Sequence, residues 1–370
     1  MNQSLRLGSS RSLILALVLW ALAPGATRAN HLQCIHSLGT TNPIQILGVW
    51  HCGSTFCDWR AERDMAEFDA RNRWLIDRGD GRPSVNLVVL SFVHPLRLMN
   101  RTTDAVTLNG VPRGMTLDVV NYFKNAGVRV TMSIGGITYT EAWNEALATN
   151  PTQLGLNAAD VATAFGVGIE IDYEQNTDPN VAGLQEFIDA YRSVHPYDAT
   201  GTNHAARLTI DLATGNRWLQ ALSRHASIHW LDPANPVLDY ANAMVPGNGQ
   251  PKDVCSWVEH INGIPEFTPP IAPKAPAKIT GALWLDGKNT ECRDFNSSRN
   301  VTRKFANFVQ SVRPNGRGTS NGMAGYMYWA AECPSTRAAC TTPPNTCEGG
   351  LGVACNVLNV PIPMPALRQQ

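Results

Sequence analysis

Val167-Gly168-Ile169-Glu170-Ile171-Asp172-Tyr173-Glu174 carries an acid at every second position, with Ile169, Ile171 and Tyr173 between them. On a strand, this period of two puts Glu170, Asp172 and Glu174 on one face and the apolar residues on the other. An apolar outer face suits a strand covered by helices, which leaves the acids facing the interior of a sheet or barrel. Glu174 comes last, at the strand's carboxyl end. Buried together, three carboxylates repel one another and lose hydration, so at least one holds its proton to higher pH than a free acid. Such a proton suits a general acid. A solvated amphipathic strand and a hard-metal site are the competing readings of the same row.

Working outward, short β-branched and apolar runs recur along the chain: Gln45–Trp50, Val85–Val93, Val128–Ile134, Val167–Tyr173, Arg207–Ala213, Val237–Val245, Lys278–Leu285 and Gly322–Ala330. Helical patterns separate most of them, over Ala61–Arg78, Met115–Asn125, Asn157–Phe165, Val181–Val194, Arg217–Ile228 and Val301–Val312, with a weaker one over Asp253–Asn262. Eight strands alternating with helices predict parallel pairing through crossovers. The closed solution is a single α/β domain, a (β/α)8 TIM barrel over residues 44–332, with its site at the carboxyl ends of the strands. A doubly wound open sheet is the alternative.

The composition is compatible. Charged residues make up only 16% of the 370 and apolar ones 44%, so the chain can bury a large core. Arg6 and Arg11 precede an apolar run, Leu13 to Ala23, followed by Pro24 and small residues near Ala29. This is the order of a secretory signal peptide over residues 1–29, and it predicts an extracellular protein with no membrane span. Basic and acidic residues balance at 30 each; the leader holds three Arg and no acid, so the remainder is slightly acidic, which argues against a nucleic-acid partner.

All nine Cys follow the leader, and most are expected to pair in an oxidising compartment. Cys52 and Cys57 are close enough for a local bridge. Cys255 and Cys292 flank the seventh strand, and Cys333, Cys340, Cys347 and Cys355 lie in a disulfide-rich tail over 333–370. Asn100, Asn296 and Asn300 begin glycosylation sequons.

Ser133-Ile134-Gly135-Gly136 ends the third strand, where consecutive glycines permit close backbone approach. Together with the acidic strand one α/β unit later, it resembles the SxGG and DGxDxDxE motifs of the family 18 glycoside hydrolases, which include chitinases. Gly325-Tyr326-Met327-Tyr328-Trp329 resembles the family's last strand, which ends in a Trp beneath the sugar. The resemblance implies substrate-assisted, retaining hydrolysis of β-1,4 links in N-acetylglucosamine-containing glycans, with no metal or cofactor. By position it makes Glu174 the acid, Asp172 the group that orients the acetamido nitrogen, and Glu170 a partner in sharing charge. Ser133 would hydrogen-bond to this row, with Gly135 and Gly136 beside it, and Trp329 would stack on the sugar.

The chain departs from the pattern in three places. Val167 replaces the motif's first Asp and Glu170 its middle one. The sixth strand, with Met244 lining the site, resembles the family strand ending in Met-x-Tyr, but the tyrosine's place falls on Pro246, which cannot donate to the acetamido oxygen. Asn242, Tyr139 or a loop residue are the candidate replacements. A chitinase-like carbohydrate-binding or inhibitory protein without turnover is therefore the alternative function.

Strand-end position makes Trp50 and Trp284 further sugar platforms, whereas Trp59, Trp218, Trp230 and Trp257 read as core. Asp211 ends the predicted inner face of the fifth strand and Asp286 ends the seventh strand; lining the cleft is open to both, and loop capping is the favoured reading over catalysis. His51 and His94, after the first and second strands, are placed at the mouth as hydrogen-bonded structural residues, with no metal assigned.

Overall fold

The computed structural model describes residues 45–53, 57–59, 63–77, 82–213, 219–244, 257–284, 322–329 and 331. The leader, Cys255, Cys292, the tail cysteines, Asn296, Asn300, Trp218, Pro246, Asp286 and the helix expected over Val301–Val312 lie outside the described residues, as do the side chains of Trp284 and Tyr326.

Eight strands form one closed parallel barrel: β1 (Ile46–His51), β2 (Leu87–Val93), β3 (Arg129–Gly135), β4 (Gly168–Asp172), β5 (Leu208–Leu212), β6 (Ala241–Ala243), β7 (Ile279–Trp284) and β8 (Gly325–Trp329). Each pairs with its neighbours in sequence, and β8 closes on β1 through Ile46 opposite Gly325. This is a (β/α)8 TIM barrel, and the open-sheet alternative is excluded.

Around it lie α1 (Met65–Ile76), α2 (Leu117–Lys124), α3 (Thr140–Thr149), α4 (Pro151–Phe165), α5 (Val181–Val194) and α6 (Gln220–His225), which continues into a π turn, Ala226–Trp230. A short helix, Pro95–Met99, and a hairpin, Thr107–Leu108 with Val111–Pro112, are additions to the alternating plan. Among the described residues, no helix is long and apolar enough to cross a membrane.

Local chemistry explains most boundaries. Asn180 caps α5 by accepting from the Gly183 N–H at 2.9 Å. Asn150 caps α4, whose first position is Pro151, and left-handed Gly166 ends it. The sequence places the start of α4 only at Asn157, because Gly155 weakens the helical pattern. In the fold that glycine is a packing device: a side chain there would run into the Phe187 carbonyl on α5. Strand β6 is shorter than expected because Val237 and Leu238 direct their N–H groups to the Trp230 carbonyl.

The two faces of β4 separate as the alternation requires. Ile169, Ile171 and Tyr173 are buried in the helix layer, where Tyr173 Oη donates to Asn144 on α3 at 2.6 Å and accepts from Asn180 N at 3.1 Å. Glu170 and Asp172 occupy the opposite face, inside the barrel.

Candidate active site

The row is built by register. Ser133 lies opposite Glu170 across β3–β4, and Gly135 opposite Asp172. On the other side, Ile171 pairs with Ile210, so Asp172 and Asp211 stand side by side, and Asp211 is opposite Asn242 on β6. Glu170 is fully buried, Asp172 is 3% exposed and Asp211 1%, so three carboxyls share the barrel interior, with Glu174 half-buried above them.

Glu170 accepts from Trp50 Nε1 at 2.8 Å through Oε1 and from Asn242 Nδ2 at 2.7 Å through Oε2. The second Asn242 amide hydrogen goes to Asp211 Oδ1 at 2.7 Å, and Thr280 Oγ1 donates to Asn242 Oδ1. The Asn242 amide is thereby fully committed inside the wall. Ser133 faces Glu170 and lowers its proton affinity, yet its hydroxyl lies outside hydrogen-bonding geometry.

These surroundings set the protonation. Burial pushes Glu170 up, against hydrogen bonds that favour its charged form. Burial, followed by the charges of Glu174 and Glu170, raises Asp172 well above the ordinary carboxylate range. Burial with Glu170 and Asp172 does the same to Asp211. Glu174 is raised to about 7 by burial, opposed by the Ile137 backbone N–H. A carboxyl in that range can deliver a proton near neutral pH. Both Glu170 oxygens are occupied by hydrogen-bond donors.

Gly135 and Gly136 are required by shape. Gly135 has φ 123°, and a side chain there would overlap the Asp172 carbonyl oxygen and the Trp143 indole nitrogen. Gly136 donates to the same carbonyl at 3.0 Å and lies under the Phe92 ring. The glycine pair therefore lets β3 and β4 close together under the acids.

Trp329 is partly buried at the end of β8, stacked on Phe92 at 5.6 Å and tilted against Trp50 at 6.3 Å. Trp50 itself is 3% exposed and donates to Glu170, so its place is the inner wall and not an open platform. Met244 is partly buried just past β6, with its N–H on the Leu212 carbonyl at 2.7 Å. Tyr139 lies at the rim against His94, ring centroids 4.7 Å apart.

Three expectations change. His51 does not line the mouth: it points into the helix layer, its Nε2 donating to Asn72 Oδ1 at 3.0 Å while Nδ1 accepts from Gly53 N at 3.1 Å. Asp211 is not a loop cap but a member of the buried row. Asn242, a candidate substrate donor from sequence, spends its amide on two carboxylates. Period-two parity already puts Asp211 on the inner face of the fifth strand, and on β6 it puts Asn242 on the inward face with Tyr240. Trp59, Trp230 and Trp257 are core, as expected, and the Cys52–Cys57 bridge is formed.

A (β/α)8 barrel with a carboxylate row at the carboxyl end of β4 is the class of structure in hand, and its fold is chitinase-like. Over 80% of this chain and all of the other, it matches a GH18 chitinase from Pseudoalteromonas aurantia with TM-score 0.52 at 12% identity. A GH18 chitinase from Cycas revoluta in complex with (GlcNAc)3 aligns over 77% of this chain and 95% of its own, with TM-score 0.47 at 11% identity. The group IV chitinase of Ostrinia furnacalis aligns over 85% and 98%, with TM-score 0.48 at 11% identity. No protein-family model matches the sequence, and no curated protein does.

Proposed function

We propose that this protein is a secreted glycoside hydrolase that cleaves β-1,4 links next to N-acetylglucosamine, in chitin or its oligosaccharides, with retention. The observation that carries this reading is the vertical order of the row: Glu174, raised to about 7, stands at the barrel mouth over the buried acids Asp172 and Glu170.

In this reading Glu174 protonates the departing glycosidic oxygen while the substrate's own acetamido oxygen attacks the anomeric carbon. Asp172 accepts from the acetamido N–H as positive charge develops there. Glu170, held by Trp50 and Asn242, fixes Asp172's electrostatic surroundings. Water then opens the oxazolinium intermediate as Glu174 takes a proton from it, restoring the acid. Trp329 forms the apolar floor for the sugar. The leader-like residues 1–29 and the formed Cys52–Cys57 bridge support secretion into an oxidising compartment.

A specific observation favours a second reading, a sugar-binding barrel without useful turnover. Pro246 offers no donor to the acetamido oxygen and the Asn242 amide is spent, and one positioned donor to a reacting oxygen contributes roughly a hundredfold or more to rate.

The deciding experiment is hydrolysis of chitotetraose by the purified protein and by Glu174→Gln. The hydrolase reading expects turnover that falls by about 10²–10⁴ in the variant, with binding retained. Binding by both proteins and cleavage by neither would establish the second reading.

A further inference from the structure

We infer that Asn100 carries an N-linked glycan, and that its first N-acetylglucosamine lies over an apolar groove between α2 and α4. The inference rests on the reading of residues 1–29 as a secretory leader, because this modification is made on chains that enter the secretory pathway.

The groove is built by the long connection after β2. The hairpin Thr107–Leu108 with Val111–Pro112, the start of α2 and the second half of α4 surround a volume of about 390 Å³. Leu108 and Leu117 line it together with Val161 and Phe165. Both leucines are 51% exposed, and they are two of the five large apolar side chains left exposed among the described residues. Two such side chains on one groove form a patch that gains from a cover.

The sequon Asn100-Arg101-Thr102 sits where the two walls of this groove are tied together. Arg101 lines the groove and crosses to α4, where its Nε donates to Asn157 Oδ1 at 2.8 Å and its guanidinium pairs with Asp160. The Thr102 carbonyl accepts from Gly110 N at 2.8 Å, and Thr103 Oγ1 accepts from Asn109 N at 3.0 Å. One short segment therefore holds both the hairpin tip and α4, and Asn100 begins it.

That segment is fixed in place. It closes the short helix Pro95–Met99: the N–H groups of Asn100, Arg101 and Thr102 donate to the carbonyls of Leu96, Leu98 and Arg97 at 3.0, 3.1 and 2.9 Å, with Arg101 left-handed at φ 47°. Asn100 itself is exposed. A sugar on its amide starts from a rigid base beside the groove. The covalent tether keeps its effective concentration high, so weak contacts suffice to seat it. N-acetylglucosamine offers its C–H face and acetamido methyl to the leucines, and its hydroxyls to Asn109 and Asp160, which line the same groove.

The donor is a lipid diphosphate-linked oligosaccharide, used by the transferase of the secretory pathway. The Asn100 amide nitrogen attacks the anomeric carbon. The C–N bond forms, the C–O bond to the diphosphate breaks, the nitrogen loses one proton, and the lipid diphosphate leaves with the bonding electron pair. Nothing is oxidised or reduced.

The test expresses the full chain through a eukaryotic secretory host. Peptide mass mapping, which separates Asn100 from Asn296 and Asn300, should find Asn100 occupied, and Asn100→Gln and Thr102→Val should each lose that glycan alone. Hydroxyl-radical footprinting of the folded proteins then reads the groove. Leu108 and Leu117 should label about half as strongly in the glycosylated parent as in either variant, while Ile137, Val194 and Ile228 stay unchanged. Trimming the folded parent to one sugar with an endoglycosidase should keep the protection, and this comparison needs no variant to fold. An unmodified Asn100 overturns the inference. Equal labelling of the two leucines with and without the glycan overturns its seating in the groove. If the native leader fails to export the chain, a substitute leader delivers it, so the leader reading and this inference fail separately.

Discussion

The two ends of this barrel bury charge in opposite ways. At the amino end, Asp239 accepts from Arg207 at 3.0 Å and from the Leu208 N–H at 2.8 Å, with Arg192 at 3.4 Å. The remaining cationic groups end on neutral acceptors. Arg192 reaches the carbonyls of Val237 and Ala206, Arg129 that of Gly201, and Lys278 the Tyr197 hydroxyl at 3.0 Å. At the carboxyl end, Glu170, Asp172 and Asp211 crowd together with few donors between them, and Asp172 and Asp211 each keep an oxygen with no partner. In the first arrangement each of these charged groups has at least one partner, although Arg207 Nη2 is buried without a hydrogen bond, and a guanidinium does not give up its proton. The second is relieved only by holding protons near neutral pH, and a held proton is what acid catalysis requires. Among buried charges, the less compensated cluster is therefore the candidate site and the better compensated one belongs to the frame.

The largest break in this comparison is Asp239→Ala. It leaves Arg207 and Arg192 buried without their counter-ion and should cost about 3–5 kcal/mol in a denaturant melt. Activity per folded molecule should persist, because the acid row is untouched. Equal loss of specific activity would show that the two ends are coupled.

Gly135→Ala acts at the other end. Its methyl would overlap the Asp172 carbonyl at φ 123°, so it should cost about 3 kcal/mol and, unlike Asp239→Ala, also lower kcat, because β3 must move away from β4 beneath the acids. Wild-type kcat in a folded Gly135→Ala protein would refute the close-approach account.

The smallest effect is a slope. Acids whose proton affinity is raised by folding bind more protons in the native state than in the unfolded chain. Stability should therefore fall as pH rises from about 4, the unfolded value, through the folded value, about 7 for Glu174. Each such group contributes at most about 1.4 kcal/mol per pH unit. Asp172→Asn should remove one of these contributions and flatten the curve, measured by urea melts across that range. Asp239→Ala should leave the slope in place. A parent whose stability rises over the same interval would contradict the protonated row.

Much of the fold was legible because its signals are local. Short β-branched, apolar runs located all eight strands to within a few residues, and β4's parity correctly put Glu170 and Asp172 inside and Tyr173 outside. The errors have local causes too. Gly155 hid the first half of α4, since its value lies in contact with α5. His51 follows the first predicted strand as a rim residue would, yet it ends β1 and parity turns its ring to α1. Asp211 and Asn242 were each visible as polar residues on predicted strands, but their meeting with Glu170 depends on the lateral register of β4, β5 and β6, which no single strand's pattern encodes.

What the sequence alone determined is the alternation of strand and helix and the face on which the acids lie. These follow from backbone periodicity and residue identity, properties of short stretches. Only the tertiary structure decided which carboxyls share a cavity, which donors they receive and which oxygens are left without one. Proton affinity depends on distance and burial, and both are fixed when the barrel closes and brings residues far apart in the chain to neighbouring places on one wall.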